Sequence, residues 1–142
     1  MGSINWPRCF SAGLAAGAVI LVVEGVAGTL YEEGMLTALA GHNLTLPTGA
    51  RAYAAQAIGC LLTGLALAFF YAAARPRLGP GPKTAMIVAL IFWLGGVLPM
   101  LSGYELIELF PSRMIALWSV IGLVELTLGA LAGGWVYRES TG

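Results

Sequence analysis

Two residues in this chain have chemistry to offer, Glu24 and Glu125, each set in the middle of a run otherwise suited only to hydrocarbon. Residues 19–28 read Val-Ile-Leu-Val-Val-Glu-Gly-Val-Ala-Gly, and residues 120–129 read Val-Ile-Gly-Leu-Val-Glu-Leu-Thr-Leu-Gly, with the glutamate sixth in both. A charge at membrane depth costs about 2.5–3.5 kcal/mol on insertion scales. Such a residue is therefore expected to be buried, facing the inside of a bundle, where it holds a proton, binds a cation or bonds a neighbouring helix. Gln56, Cys60 and Thr63 share one face of the second apolar run, with Gln56 near the depth of Glu24. Glu24, Glu125, Gln56 and Thr63 thus form a candidate proton or cation site. No Lys or Arg lies at that depth, so at least one carboxyl is expected to be protonated at neutral pH. Protonated glutamates that serve only as hydrogen bonds between helices, worth about 0.6–2 kcal/mol each, are the simpler reading of the same residues.

Composition removes most other classes. A chain of 142 residues that is 58% hydrophobic and only 10% charged is no ordinary soluble domain, and an integral membrane protein is expected. There is no Asp, one Lys (Lys83) and one His (His42), so no metal site, cofactor signature or nucleophile–base pair can be assembled. An enzyme is the least expected class. The net charge is zero and there is no basic stripe, which argues against nucleic acid as a partner. The expected partners are the lipid bilayer and either a larger membrane complex or a second copy of the chain. Cys9 and Cys60 fall at different depths and read as packing thiols rather than a disulfide.

The elements that must position the glutamates are four helices. Apolar runs at about 10–30, 52–74, 85–104 and 114–137 each span roughly 30 Å of hydrocarbon at 1.5 Å per residue. Backbone groups in lipid must be paired within their own segment, which predicts an all-α, four-transmembrane-helix bundle forming one domain over 1–142. The first run is longer than a signal-peptide core and carries Glu24, so it reads as a retained spanning helix. Small residues share the glutamate faces: Gly13, Gly17, Ala27 and Gly28 with Glu24, and Gly122, Gly129, Ala132 and Gly133 with Glu125. Such faces let membrane helices approach closely. Gly96, Pro99 and Gly103 line a face of the third helix, and Pro99, which deprives the Gly95 carbonyl of its donor, predicts a kink.

Charge sets the orientation. Arg75, Arg77 and Lys83 crowd the turn between the second and third helices, and Arg8 and Arg138 fall on the same side. Glu32, Glu33, Glu105 and Glu108 mark the other side, against only Arg51 and Arg113. Both termini are therefore expected in the cytoplasm of a bacterial inner membrane, with Arg75, Arg77 and Lys83 as candidate contacts for anionic lipid. Trp6, Phe70, Tyr71, Trp135 and Tyr137 would belt the inner interface, and Tyr31, Tyr53, Tyr104 and Phe110 the outer one. In the first outer loop, Met35, Leu36 and Leu39 follow two glutamates at helical spacing and Gly41 supplies a stop, which predicts a short helix on the membrane surface.

The turn Arg75-Pro-Arg-Leu-Gly-Pro-Gly-Pro-Lys-Thr84, the Val-Glu of the last helix and the closing Ala-Gly-Gly-Trp-Val-Tyr-Arg-Glu resemble a group of small bacterial four-helix membrane proteins of unassigned function. That resemblance implies a bacterial inner-membrane protein and no activity. Locally, Gly17-Ala-Val-Ile, Glu24 and Gly28-Thr-Leu30 are similar to the first helix of small multidrug resistance exporters. The resemblance implies that an isolated membrane glutamate can take a proton or a cation. The spacing differs slightly, the later helices depart from that pattern, and Glu125 has no counterpart in it.

Two functions follow from these residues. A non-catalytic accessory or structural component, packing through Gly-rich faces and presenting Trp93 or Trp118 to a partner, needs the fewest assumptions and stands first. A proton-coupled or cation transporter or channel using Glu24 and Glu125 is the alternative.

Overall fold

The computed structural model describes residues 4–137. Four helices are long and apolar enough to cross a membrane: α1 (Trp6–Gly41), α2 (Ala50–Leu78), α3 (Pro82–Leu106) and α4 (Ser112–Val136). Arg138, counted above for orientation, lies outside the described residues. Around the bundle α1 packs on α2 and on α4, α3 closes the ring between α2 and α4, and α2 also touches α4 across the middle.

The first three helices run past both expected ends, α1 most of all, and α4 starts two residues early and stops at Val136. The 36 residues of α1 make about 54 Å of helix, well beyond the hydrocarbon thickness. The separate surface helix expected at residues 32–41 does not exist; the chain continues straight through Glu32 and Glu33 to Gly41. The reason is local, because Glu, Met, Leu and Ala are strong helix formers and between Glu32 and Gly41 only Gly34 and Thr37 are weak ones. Gly34 has a packing role instead, since a Cβ there would come 2.9 Å from Met114 Cε at the start of α4.

The basic turn is also shorter than its sequence suggested. α2 carries Pro76 inside the helix and ends at Leu78, so Arg75 and Arg77 sit on its last turn, where cations complement the exposed carbonyls. The reversal is made by Gly79 (φ 85°) and Gly81 (φ 114°), conformations that favour glycine, and Pro82 opens α3. Thr84 Oγ1 donates to the Gly79 carbonyl at 2.7 Å, and the Gly81 N–H donates to Tyr71 Oη at 3.0 Å. Tyr71 and Tyr137 are therefore core residues, 2% and 3% exposed, and not part of an interfacial belt. Trp6, Phe70, Trp135 and Tyr53 are exposed as a belt requires.

Close approach of α1 to its two neighbours is made by glycine. A Cβ on Gly64 of α2 would overlap the backbone of Gly17 and Gly13, and one on Gly13 would lie 2.6 Å from Leu65 Cδ2. On the other side, Gly133 lies against the Ala12 carbonyl and Gly129 against Ile20. The glycine face of α3 behaves differently: Cβ atoms on Gly95, Gly96 and Gly103 would meet nothing within 4 Å, and Pro99 is exposed. Instead of a simple proline kink, α3 contains a π turn over Trp93–Val97, in which the Leu98 N–H reaches back to the Trp93 carbonyl. That extra residue brings Pro99 to the opening of the resumed α-helix, where a missing N–H costs least.

The glycine contacts predict unequal effects of one small change. Gly64→Ala should destabilise the protein by about 1–3 kcal/mol through overpacking, whereas Gly28→Ala, with nothing within 4 Å, should stay within about 0.5 kcal/mol. Thermal unfolding midpoints of the two variants in one detergent decide it; equal midpoints would contradict this packing.

Candidate functional site

The register between α1 and α4 brings the two glutamates together. The helices run antiparallel, with Ala16 against Gly133 and Ile20 against Gly129. A step of four residues along one is matched by a step of four back along the other, so the next layer pairs Glu24 with Glu125. The same register continues to Tyr31 and Trp118, whose rings meet edge to face at 5.5 Å. In every one of these pairs the two residue numbers add to the same total. The two similar strings thus lie against each other in opposite directions, with their glutamates at the centre of a local pseudo-twofold. The symmetry is incomplete, because Gly129 is filled by Ile20 while its counterpart Gly28 is open.

The carboxyls of Glu24 and Glu125 are within hydrogen-bond reach of each other. Two carboxyls can make that bond only when one of them carries a proton. Tyr31, two helical turns beyond Glu24, donates its hydroxyl to Glu24 Oε1 at 2.5 Å. Glu125 Oε2 is sealed from solvent, and no N–H or hydroxyl among the described residues donates to it. No Lys, Arg or His acts on the Glu125 carboxyl. Cys60 on α2 is the next titratable group, close enough to feel both carboxyls. Neither glutamate is fully buried, as the sequence had suggested; both are half-buried.

The other sequence candidates divide. Gln56 is largely exposed and its Nε2 lies 3.9 Å from Cys60 Sγ, while Thr63 Oγ1 donates to the Gly59 carbonyl at 3.0 Å. Among the described residues neither is hydrogen-bonded to a glutamate, and Gln56 reaches the pair only by way of Cys60. Tyr31 was the missed member. Its place seven residues after Glu24 puts it on the same helical face, a signal obscured by reading it as an interfacial anchor. Trp118 and Trp93 were expected on outer surfaces, yet both are half-buried. Trp118 packs on Phe110 at 4.7 Å and Tyr104 at 6.5 Å, roofing the site with aromatic rings. Trp93 Nε1 donates to the Ser119 carbonyl at 2.8 Å, tying the π turn of α3 to α4.

Toward lipid, the α1–α4 seam is covered by Val23, Ala27, Ile121 and Val124, which line an apolar groove. Toward the loops lies a depression of about 460 Å³ bordered by His42, Glu105, Glu108 and Phe110. Phe110 therefore touches both this depression and Trp118. At the opposite end of the bundle, Arg77 and Lys83 are exposed, whereas Arg75 is half-buried with its guanidinium 5.7 Å from the Tyr137 ring centre. Among the described residues no group of three or more His, Cys, Asp or Glu side chains could hold a metal ion.

If the carboxyls share a proton, their substitutions cannot act independently. Glu24→Gln, Glu125→Gln and the double variant should show a coupling of about 0.5–3 kcal/mol in unfolding free energy, beyond the 0.3–0.5 kcal/mol scatter of unconnected sites. Additive effects would mean the two residues do not touch. Comparison with protein-family models, with curated proteins and with solved structures finds no match to this chain, so the geometry carries the functional argument.

Proposed function

We propose that this small polytopic membrane protein moves protons, alone or coupled to a cation, through the Glu24–Glu125 pair. The observation that carries this reading is the meeting of two carboxyls from antiparallel helices with no cation to neutralise them. A purely structural pair needs only one donor and one acceptor, which two uncharged amides supply without the expense of placing acids in hydrocarbon. An acid pair differs in that its shared proton can leave, and a cation can take the proton's place. A bundle this small that encloses a path would do so with a second copy.

The accessory or structural reading is the second. It is weakened because Gly13, Gly17, Gly64, Gly129 and Gly133 are already occupied by contacts inside the chain. It is favoured by one observation, the open face at Gly95, Gly96 and Gly103 on α3, where another helix would fit.

Proteoliposomes with an imposed pH gradient separate the two. Under the transport reading Glu24→Gln and Glu125→Gln assemble with wild-type particle mass and lose about tenfold or more of the proton flux, since each removes an exchangeable carboxyl. Variants that assemble poorly but keep wild-type flux per folded particle would favour the structural reading.

The proposed setting is a bacterial inner membrane with both termini in the cytoplasm. Its support is the gathering of Arg75, Arg77 and Lys83 at one end of the bundle and Glu32, Glu33, Glu105 and Glu108 at the other. A fluorescent protein fused to the C-terminus should therefore fold and fluoresce, and a phosphatase that needs the periplasm should be inactive there; the reverse pattern overturns the orientation.

A further inference from the structure

The pseudo-twofold makes Glu24 and Glu125 near equivalents, and one side chain breaks that equivalence. Tyr31 stands seven residues after Glu24 and donates to its Oε1. The position seven residues after Glu125 is Ala132, which has no group to donate. Glu24 therefore has a fixed hydroxyl donor, while Glu125 Oε2 has none and is closed to solvent. A carboxylate accepts hydrogen bonds and a carboxylic acid donates one, so the carboxyl with a ready donor is suited to be the anion and its neighbour the acid.

We infer that Tyr31 is a positioning residue that breaks the symmetry of the pair, holding Glu24 as the hydrogen-bond acceptor so that the shared proton rests on Glu125. This rests on the proton-handling reading and deepens it by assigning a role to each carboxyl. In the resting arrangement Tyr31 Oη–H and the Glu125 hydroxyl both donate to Glu24, and the pair carries one negative charge. The other titratable group facing the pair is Cys60 from α2; α3 contributes none. The tyrosine ring itself is fixed by Trp118, so its hydroxyl is aimed by packing and not by a flexible loop. Release of the proton then begins at Glu125, and Glu24 is the group left to hold whatever positive charge replaces it.

Infrared spectroscopy of the intact protein in lipid at neutral pH tests this, reading the carbonyl stretch of a protonated carboxyl and its shift in D2O. The band is expected in the wild type, retained in Glu24→Gln and lost in Glu125→Gln. Tyr31→Phe keeps the ring on Trp118 and removes only the hydroxyl. Combined with Glu125→Gln, it should bring the band back, because Glu24 then lacks the donor that kept it ionised. A merely structural role for Tyr31 would change stability and leave this pattern untouched. Loss of the band in Glu24→Gln with retention in Glu125→Gln, equal behaviour of the two, or no return of the band on removing the hydroxyl each overturns the inference. Absence of the band from the wild type would overturn the shared proton, and this inference with it. If the bands behave as expected but both glutamine variants keep wild-type proton flux, the assignment of the proton stands and the transport reading fails.

Discussion

The structure depends on how closely α1 can approach two other helices at once. In a bilayer there is no hydrophobic drive to bring helices together, so their association comes from van der Waals contact and interhelical hydrogen bonds, both of which require short distances. Gly13 and Gly17 meet Gly64 on one side, and Ala12, Ala16 and Ile20 meet Gly133 and Gly129 on the other. Backbone lies against backbone in these layers. Contact of that kind admits few registers, because sliding by one residue would push a Leu or Val into a space that holds only a hydrogen atom.

The placement of the acids follows from this register. Glu24 and Glu125 are one layer beyond the last tight glycine contact, where α1 and α4 still face each other but side chains once again have room. Large rings fill the next layers, Tyr31 on Trp118 and then Phe110 and Tyr104. The seam thus changes along its length from glycine contacts through a polar pair to an aromatic roof. A small protein has few ways to surround a carboxyl, and here it uses a second carboxyl, a tyrosine hydroxyl and a thiol in place of a cation.

The third helix stands apart from this arrangement. It supplies only Tyr104 to the aromatic roof and no partner to the carboxyls, the glycine face at Gly95, Gly96 and Gly103 is unfilled, and its path is altered by the π turn at Trp93–Val97. The bond from Trp93 Nε1 to the Ser119 carbonyl anchors that turn to α4, six residues before Glu125. α3 is thereby linked to the helix that carries the second glutamate, while its outer side is free to meet lipid or another helix. The tyrosines at the opposite end, Tyr71 and Tyr137, meet at 6.1 Å and close the bundle there, with Arg75 beside them.

Much of the architecture was legible in the chain alone. Four apolar runs of spanning length fix an all-helical bundle because unpaired backbone cannot exist in hydrocarbon, and Glu24 and Glu125 stand out because no other acidic or basic side chain lies at that depth. Helix ends were less legible: Glu32 and Glu33 look like the start of a loop, yet helix-forming residues carry α1 on to Gly41. The similarity of residues 19–28 and 120–129 was visible too, and so was their opposite direction across the membrane, but not that their acids meet in one layer. That, the recruitment of Tyr31, and the hydrogen bonds of Gln56 and Thr63 to other partners than the carboxyls were decided only by tertiary structure. The periodicity of a helix says which residues share its face, whereas the register between two helices depends on how specific glycines fit specific neighbours, and that fit exists only once the helices are packed.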